Sequence, residues 1–124
     1  MIVGIGVDAI AIARVARLLA DGERFVARVF TSGEAAYCNS RASAAASFAA
    51  RFAAKEAAMK ALGTGWADGI GFRQIEVVRD GHGAVTLQLH DAAARRAQAL
   101  GITRWHLSLT HTETTATAFV LAEG

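Results

Sequence analysis

The stretch from Ser47 to Leu62 constrains the fold more than any other part of the chain. It is rich in strong helix formers, contains no glycine or proline, and is followed by Gly63, a residue type typical of a helix C-terminal cap. It therefore predicts a long helix. At 100° per residue, alanines gather on one side of this helix: Ala49, Ala50, Ala53, Ala54, Ala57, Ala58 and Ala61. We expect that side to pack tightly against another element.

The opposite side of this helix mixes bulky apolar residues with charged ones, whereas an ordinary surface helix separates the two kinds. The charged members are Arg51, Lys55, Glu56 and Lys60. One interpretation is that this side lines a cleft or a subunit interface in which the charges have a function. The other is a helix of high propensity with a Glu56–Lys60 pair at i,i+4, worth a few tenths of a kcal/mol.

The remaining pattern predicts an α+β fold with an antiparallel sheet packed against the long central helix. The expected elements are a buried strand at residues 2–7, a helix at 10–19, a short helix beginning at the capping box Thr31–Glu34, a loop or frayed helix start at 39–47, a hairpin of residues 72–79 and 84–90, a helix capped by Asp91 and ending near Gly101, and paired strands at 104–110 and 114–121. His111 is expected at or near the final turn.

Composition indicates one small domain, residues 1–124, with a thin core. Hydrophobic residues make up 53% of the chain, but 29 of them are alanine, which buries little surface. Because a domain of this size buries only about two-thirds of its unfolded surface, we expect oligomerisation to supply further burial.

No apolar run approaches the roughly 20 residues that cross a bilayer, and the start of the chain lacks a basic leader. We therefore expect a protein that neither spans a membrane nor is secreted. A single cysteine, Cys38, allows no internal disulfide and no zinc cage. These features favour the cytoplasm.

The net charge is only +2, but basic residues cluster. The first cluster is Arg14, Arg17, Arg24 and Arg28, and the second is Arg41, Arg51, Lys55 and Lys60. These clusters indicate either an acidic or phosphorylated partner or merely solvated helix faces. Binding of nucleic acid is disfavoured because aromatic residues do not alternate with the arginines.

Two carboxylates are the candidates for chemistry. Asp8 is expected where the first strand ends, as a ligand or as a helix N-cap. If it converges with Glu56, the pair makes a sparse oxygen site of the kind that magnesium uses. Residues 63–65 do not make a phosphate loop, because they follow a helix instead of preceding one. The sequence has no nucleophile elbow and no Cys/His cluster, which argues against a covalent hydrolase.

Three segments resemble a known family in their order along the chain. They are Gly4-Ile5-Gly6-Val7-Asp8, the segment from Arg51 to Gly65 (RFAAKEAAMKALGTG), and Ser108-Leu109-Thr110-His111. Together they resemble the signatures of AcpS-type holo-[acyl-carrier-protein] synthases, the short-subunit 4′-phosphopantetheinyl transferases. The resemblance implies that the 4′-phosphopantetheine arm of coenzyme A is transferred to a serine of an acyl carrier protein, with magnesium and release of adenosine 3′,5′-bisphosphate. The nucleophile then belongs to the partner, in keeping with the absence of one here.

The resemblance also implies roles for individual residues. Asp8 and Glu56 become the metal ligands, Lys60 the cation near the coenzyme A diphosphate, and the three together the catalytic group. The implied coenzyme-binding set is Arg51, Lys60, Gly63, Ser108 and His111, and the implied carrier-binding set is Arg14, Arg17, Arg24 and Arg28. The base that takes the serine proton is either Glu56 or a metal-bound water.

The family resemblance further implies a homotrimer with active sites between subunits. A rival from another class is a non-catalytic basic module that binds an acidic protein or a phosphorylated ligand. Such a module would have no need for both Asp8 and Glu56. Neither reading calls for a nucleic-acid or membrane partner.

Overall fold

A long helix lying across a three-stranded antiparallel sheet forms the centre of the fold. The computed structural model describes residues 1–63 and 69–124. In chain order the elements are β1 (Ile2–Ala11), α1 (Ile12–Ala20), α2 (Arg24–Val29), α3 (Ser32–Asn39), α4 (Ala44–Leu62), a 3-10 helix (Phe72–Gln74), β2 (Ile75–Arg79), β3 (Val85–Leu89), α5 (Asp91–Ala99), β4 (Arg104–His111) and β5 (Thr115–Glu123). The main sheet has the order β1-β5-β4, and β2 and β3 form a separate hairpin. The α+β architecture confirms the fold class expected from the sequence.

The alanine side of α4 packs directly on β1, as its composition predicts. Ala53, Ala57 and Ala58 have no exposed surface. Gly6 faces the carbonyl oxygen of Ala57, and a Cβ at that glycine would overlap this oxygen. Gly4 faces Ala61 in the same way. Small residues on both elements therefore let the helix and strand backbones approach each other closely.

The main sheet has one covered face and one open face. Side chains alternate along β1, so that Gly4, Gly6, Asp8 and Ile10 lie on the inner face, toward α4. The outer face carries Ile5, Val7 and Phe119, which are 59%, 55% and 41% exposed. The expectation that residues 2–7 form a buried strand is therefore wrong for the isolated chain, because no element of its described residues covers the outer face.

A buried ion pair connects α3, α4 and the β2–β3 hairpin. Lys55, with no exposed surface, donates to Glu34 Oε1 at 2.8 Å, to the Phe72 carbonyl at 3.0 Å and to the Ile75 carbonyl at 2.7 Å. Glu34 is also the acidic residue of the capping box with Thr31, which confirms that prediction. Burial lowers the pKa of Lys55, and the neighbouring Glu34 opposes this effect.

Several element boundaries differ from those expected. The first strand is four residues longer, so α1 begins at Ile12, and the short helix α2 was not foreseen. Helix α4 begins at Ala44 because the Ser43 side chain caps it through the amide of Ala46, three residues before the expected start at Ser47.

The second half of the chain shows smaller differences. The hairpin is confirmed, but the segment from Phe72 to Gln74 is a 3-10 helix and not strand. Asp91 does not cap α5: His90 occupies the N-cap position, and Asp91 is the first helical residue, with φ of 50°. The last two strands pair as expected, and β4 extends to His111. No helix in the described ranges is long and apolar enough to cross a membrane.

Candidate functional site

Asp8 and Lys60 meet where β1 passes under the C-terminal half of α4. Lys60 Nζ lies 3.2 Å from Asp8 Oδ1 and donates to the Val7 carbonyl at 2.8 Å. The Asp8 side chain is 20% exposed and that of Lys60 is 54% exposed. Asp8 lies inside β1, and the N-cap of α1 is Ala11, so Asp8 neither ends the strand nor caps the helix. Its inner-face position instead turns the carboxylate toward α4.

Glu56 lies one helical turn before Lys60 and is part of the same cluster. Burial raises the pKa of the Glu56 carboxyl, the nearby negative charge of Asp8 raises it further, and Lys60 and Arg14 oppose both effects. The two carboxylates are therefore close enough to interact. Among the described residues Lys60 forms its ion pair with Asp8, and none joins it to Glu56, so the simple i,i+4 pair does not describe this side of α4.

A cavity of about 710 Å³ opens beside Glu56. Its lining includes Phe25, Phe52, Glu56, Arg14, Arg24 and Arg28. Three of the four arginines proposed to contact a carrier protein thus face the same space as Glu56. Arg17, the fourth, is exposed on α1 and does not line this cavity. The side of α4 that mixes charged and apolar residues therefore lines a cleft at Glu56, as one interpretation of the sequence expected. Lys55 does not face this cleft, because it forms the buried ion pair with Glu34.

Arg51 lies apart from the carboxylate cluster. It is 5% exposed and lines a second cavity of about 220 Å³, between α3, α4 and β2. Its guanidinium group lies over the ring of Tyr37, with Cζ 4.4 Å from the ring centroid. Sequence analysis did not identify Tyr37 as a functional residue. The only hint was that it is the sole tyrosine in a chain with two basic clusters.

The coenzyme-binding candidates on β4 are not brought to Asp8 within one chain. Ser108 is exposed and pairs with Phe119, which places it on the outer face. His111 ends β4, with Nδ1 3.0 Å from the Thr112 carbonyl oxygen. Because β5 separates β4 from β1, the backbone at His111 is roughly 10 Å from β1.

Gly63 ends α4 in the left-handed conformation, with φ of 73°, as a C-terminal cap. This confirms the predicted end of the helix. Residues 64 and 65, the rest of the glycine-containing segment considered in the sequence, lie outside the described residues.

The described residues offer no closed metal cage, and their single cysteine is not a reactive nucleophile. Burial raises the pKa of Cys38 to about 11, so its thiol stays protonated and unreactive at neutral pH. No group of three or more His, Cys, Asp or Glu side chains suited to a metal occurs in the two described segments. What the cluster provides is two carboxylates and one ammonium group at the edge of a cavity. That set suits a hard cation together with a phosphate-bearing ligand.

Comparison with known proteins agrees with the resemblance found in the sequence. The family model of the 4′-phosphopantetheinyl transferase superfamily matches residues 4–119. The holo-[acyl-carrier-protein] synthase of Koribacter versatilis is 48% identical over 124 residues and covers 99% of each chain. That of Alkalilimnicola ehrlichii is 50% identical over 125 residues, covering 99% of this chain and 98% of the relative.

Solved structures show the same likeness. The crystal structure of the synthase from Neisseria meningitidis is 36% identical, covers 100% of both chains and has a TM-score of 0.91. The Helicobacter pylori synthase, solved in complex with coenzyme A, is 26% identical with a TM-score of 0.83, covering 96% of this chain and 99% of that one. The chain therefore belongs to the 4′-phosphopantetheinyl transferase superfamily.

Proposed function

We propose that this protein is a holo-[acyl-carrier-protein] synthase, which transfers 4′-phosphopantetheine from coenzyme A to a serine of an apo acyl carrier protein. Relatives of that name align along the whole chain. One observation of the structure carries the proposal: Asp8 of β1 meets Glu56 and Lys60 of α4, next to the cavity that Glu56 lines. A non-catalytic basic module would have no use for two neighbouring carboxylates at this place.

The proposed reaction is an attack on phosphorus. The serine oxygen forms a bond to the phosphorus that carries pantetheine, the bond from this phosphorus to the bridging oxygen of the diphosphate breaks, and adenosine 3′,5′-bisphosphate leaves. Such a transfer requires mainly positioning and neutralisation of charge on the phosphate oxygens. The Lys60 side chain is about half exposed, so its ammonium group can contact the diphosphate.

The attacking serine must also lose its proton. The candidate bases are Glu56 and a metal-bound water. Without the ion, burial and the charge of Asp8 raise the pKa of Glu56, which makes its carboxylate a better proton acceptor; where Glu56 binds the ion directly, the water takes this role. The partner supplies the nucleophile, so the reaction needs no reactive cysteine in this chain, and the buried Cys38 is not one.

The residues present fit a magnesium ion. Mg²⁺ is usually held by one or two carboxylates, with waters and substrate phosphates completing its shell. Asp8 and Glu56 supply such a pair, and the described residues offer no third carboxylate, histidine or cysteine beside them. When bound there, the ion would neutralise charge on the diphosphate oxygens.

We further propose that the protein works as a homotrimer with its sites between subunits. The outer face of the main sheet carries the apolar residues Ile5, Val7 and Phe119, which a lone chain exposes to water. Contact with neighbouring subunits would bury them. Ser108 lies on this outer face beside Phe119. We expect Ser108 and, at the end of the same strand, His111 to contribute to the site of a neighbouring subunit, together with the coenzyme contacts proposed for Arg51 and Gly63.

The cavity beside Glu56 is the proposed docking place of the carrier. Arg14, Arg24 and Arg28 line it and would face the acidic side chains of the carrier, and Arg17 lies outside it. We propose that residues 1–124 act as one domain, located in the cytoplasm, with no nucleic-acid or membrane partner.

Mass spectrometry of apo acyl carrier protein tests this function directly. The carrier is incubated with coenzyme A, Mg²⁺ and the protein, and a mass gain of one phosphopantetheine group is expected. Omission of Mg²⁺ should abolish the gain. If no carrier tested gains mass, the result favours the basic binding module instead.

A further inference from the structure

Three arginine side chains surround one tyrosine next to the smaller cavity. The Cζ atoms of Arg51, Arg79 and Arg41 lie 4.4, 4.8 and 5.5 Å from the centroid of the Tyr37 ring. Because all three atoms lie this close to one point, the three guanidinium groups are also close to one another. A ring has two faces, so at least two of the three guanidinium groups share one side of it.

These positive charges are not neutralised by carboxylates within residues 1–63 and 69–124. None of the three arginines forms an ion pair there. The two glutamates that line the same cavity are already engaged: Glu34 accepts from Lys55 and from backbone amides, and Glu76 accepts from Thr31 and contacts His90. Counting Lys55 and Arg41 with Arg51 and Arg79, four cations face these two carboxylates, so the region around Tyr37 has an excess of positive charge.

An aromatic ring lowers the energy of nearby guanidinium groups but does not cancel their mutual repulsion. A phosphate group placed against them would do so, because guanidinium groups bind phosphate oxygens through paired N–H donors. Arg51 is almost fully buried, and Arg79 donates through Nη1 to the Gly83 carbonyl at 2.7 Å. Both side chains are thus held in place at the cavity.

We propose that Tyr37 is a positioning residue that aligns Arg51 and Arg79 on one phosphate group of coenzyme A. The inference rests on the proposed function and extends it to two residues outside the matched motifs, Tyr37 and Arg79. Coenzyme A carries a diphosphate and a separate 3′-phosphate. Arg51 precedes Glu56 by five residues on α4, about 7.5 Å along the helix, and lines a different cavity. The separate 3′-phosphate is therefore the group assigned to the arginines around Tyr37.

The test compares Tyr37→Leu with Tyr37→Phe, which keeps the ring and removes only the hydroxyl. Each variant is assayed with coenzyme A and with 3′-dephospho-coenzyme A. For Tyr37→Leu we expect the KM for coenzyme A to rise about tenfold with kcat nearly unchanged, since a cation–π contact of 0.5 to 2 kcal/mol is lost. With the dephosphorylated substrate the same variant should behave like the wild type. Tyr37→Phe should behave like the wild type with both substrates.

A second measurement does not depend on turnover. Calorimetry should show that adenosine 3′,5′-bisphosphate binds Tyr37→Leu and Arg79→Gln more weakly than it binds the wild type, while Tyr37→Phe retains its affinity. Circular dichroism confirms that each variant is folded.

Two results would overturn the proposal. One is a Tyr37→Leu variant with unchanged KM and unchanged affinity for the bisphosphate, and the other is an equal loss with both coenzymes, which would indicate a general structural effect. Neither would affect the transferase assignment, which fails only if the wild-type protein itself transfers nothing.

Discussion

Replacing Lys55 with methionine tests how the buried charge of α4 contributes to stability. The substitution keeps an unbranched side chain of similar length but removes the ammonium that donates to Glu34, Phe72 and Ile75. Glu34 would remain buried as an unpaired carboxylate. Removing one partner of a buried ion pair costs about 3 to 5 kcal/mol, and two carbonyl groups would lose a charged donor as well. We therefore expect a loss of about 4 kcal/mol, a large part of the 5 to 15 kcal/mol typical of a domain.

Urea unfolding at one fixed protein concentration measures this loss, because an oligomer makes apparent stability depend on concentration. A loss of about 4 kcal/mol corresponds to roughly 12 to 20 °C in melting temperature for a domain of this size. Lys60→Met is the matched control, since the Lys60 side chain is 54% exposed and its ion pair is worth only about 1 kcal/mol or less. The double variant Lys55→Met with Glu34→Gln should recover part of the loss, because it removes the unpaired charge.

If Lys55→Met loses less than about 1 kcal/mol, or no more than Lys60→Met, the buried ion pair does not make the contribution to stability expected of it. A double variant that is no more stable than Lys55→Met would show that the unpaired carboxylate is not the main cost.

Three further predictions concern the carboxylates and the arginines. Glu56→Gln should lower kcat at least about 100-fold without loss of thermal stability, because burial and Asp8 disfavour the charged carboxylate, as its raised pKa shows; undiminished transfer would exclude the assigned role. Charge reversal of Arg14 and Arg28 to glutamate should raise the KM for the carrier about tenfold and make this KM less dependent on salt concentration. Arg17→Glu, which lies outside the cavity, should raise the KM less. Equal increases for all three variants would contradict docking of the carrier at this cavity. Burial would raise the pKa of Glu76, but the hydrogen bonds that it receives outweigh burial and lower it. The stability that Glu76 contributes is therefore present above its ordinary pKa of 4.5 and is lost as the pH falls through the lowered value. In urea unfolding, Glu76→Gln should have a lower free energy of unfolding than the wild type at neutral pH, and this difference should shrink below pH 4.5. A difference that does not change with pH would contradict this linkage.

The elements that the sequence predicted well are those whose cause is local. The capping box of α3 and the end of α4 at Gly63 depend on a few neighbouring residues, and both are confirmed. The alternation of β4 likewise appears in its burial pattern.

Features that depend on distant contacts were missed. Nothing near Lys55 in the sequence indicates that its partner is Glu34, 21 residues earlier, so neither a cleft or subunit interface nor an ordinary surface helix describes its buried charge. The apolar run of β1 predicted burial, but apolar character alone cannot tell whether the chain itself or another subunit covers a strand.

The meeting of Asp8 with α4 follows from residues that themselves carry no chemistry. Gly4 and Gly6 let the strand lie against the carbonyls of Ala61 and Ala57, and the alternation that puts both glycines on the inner face puts Asp8 there too. The helical period then places Lys60, next to Ala61 in sequence, within reach of Asp8. A larger side chain at Gly6 would push the helix away from the strand and separate the charged groups, even though each of them remained in the sequence. The site therefore depends on Gly4 and Gly6 of β1 and on Ala57 and Ala61 of α4 as well as on its carboxylates.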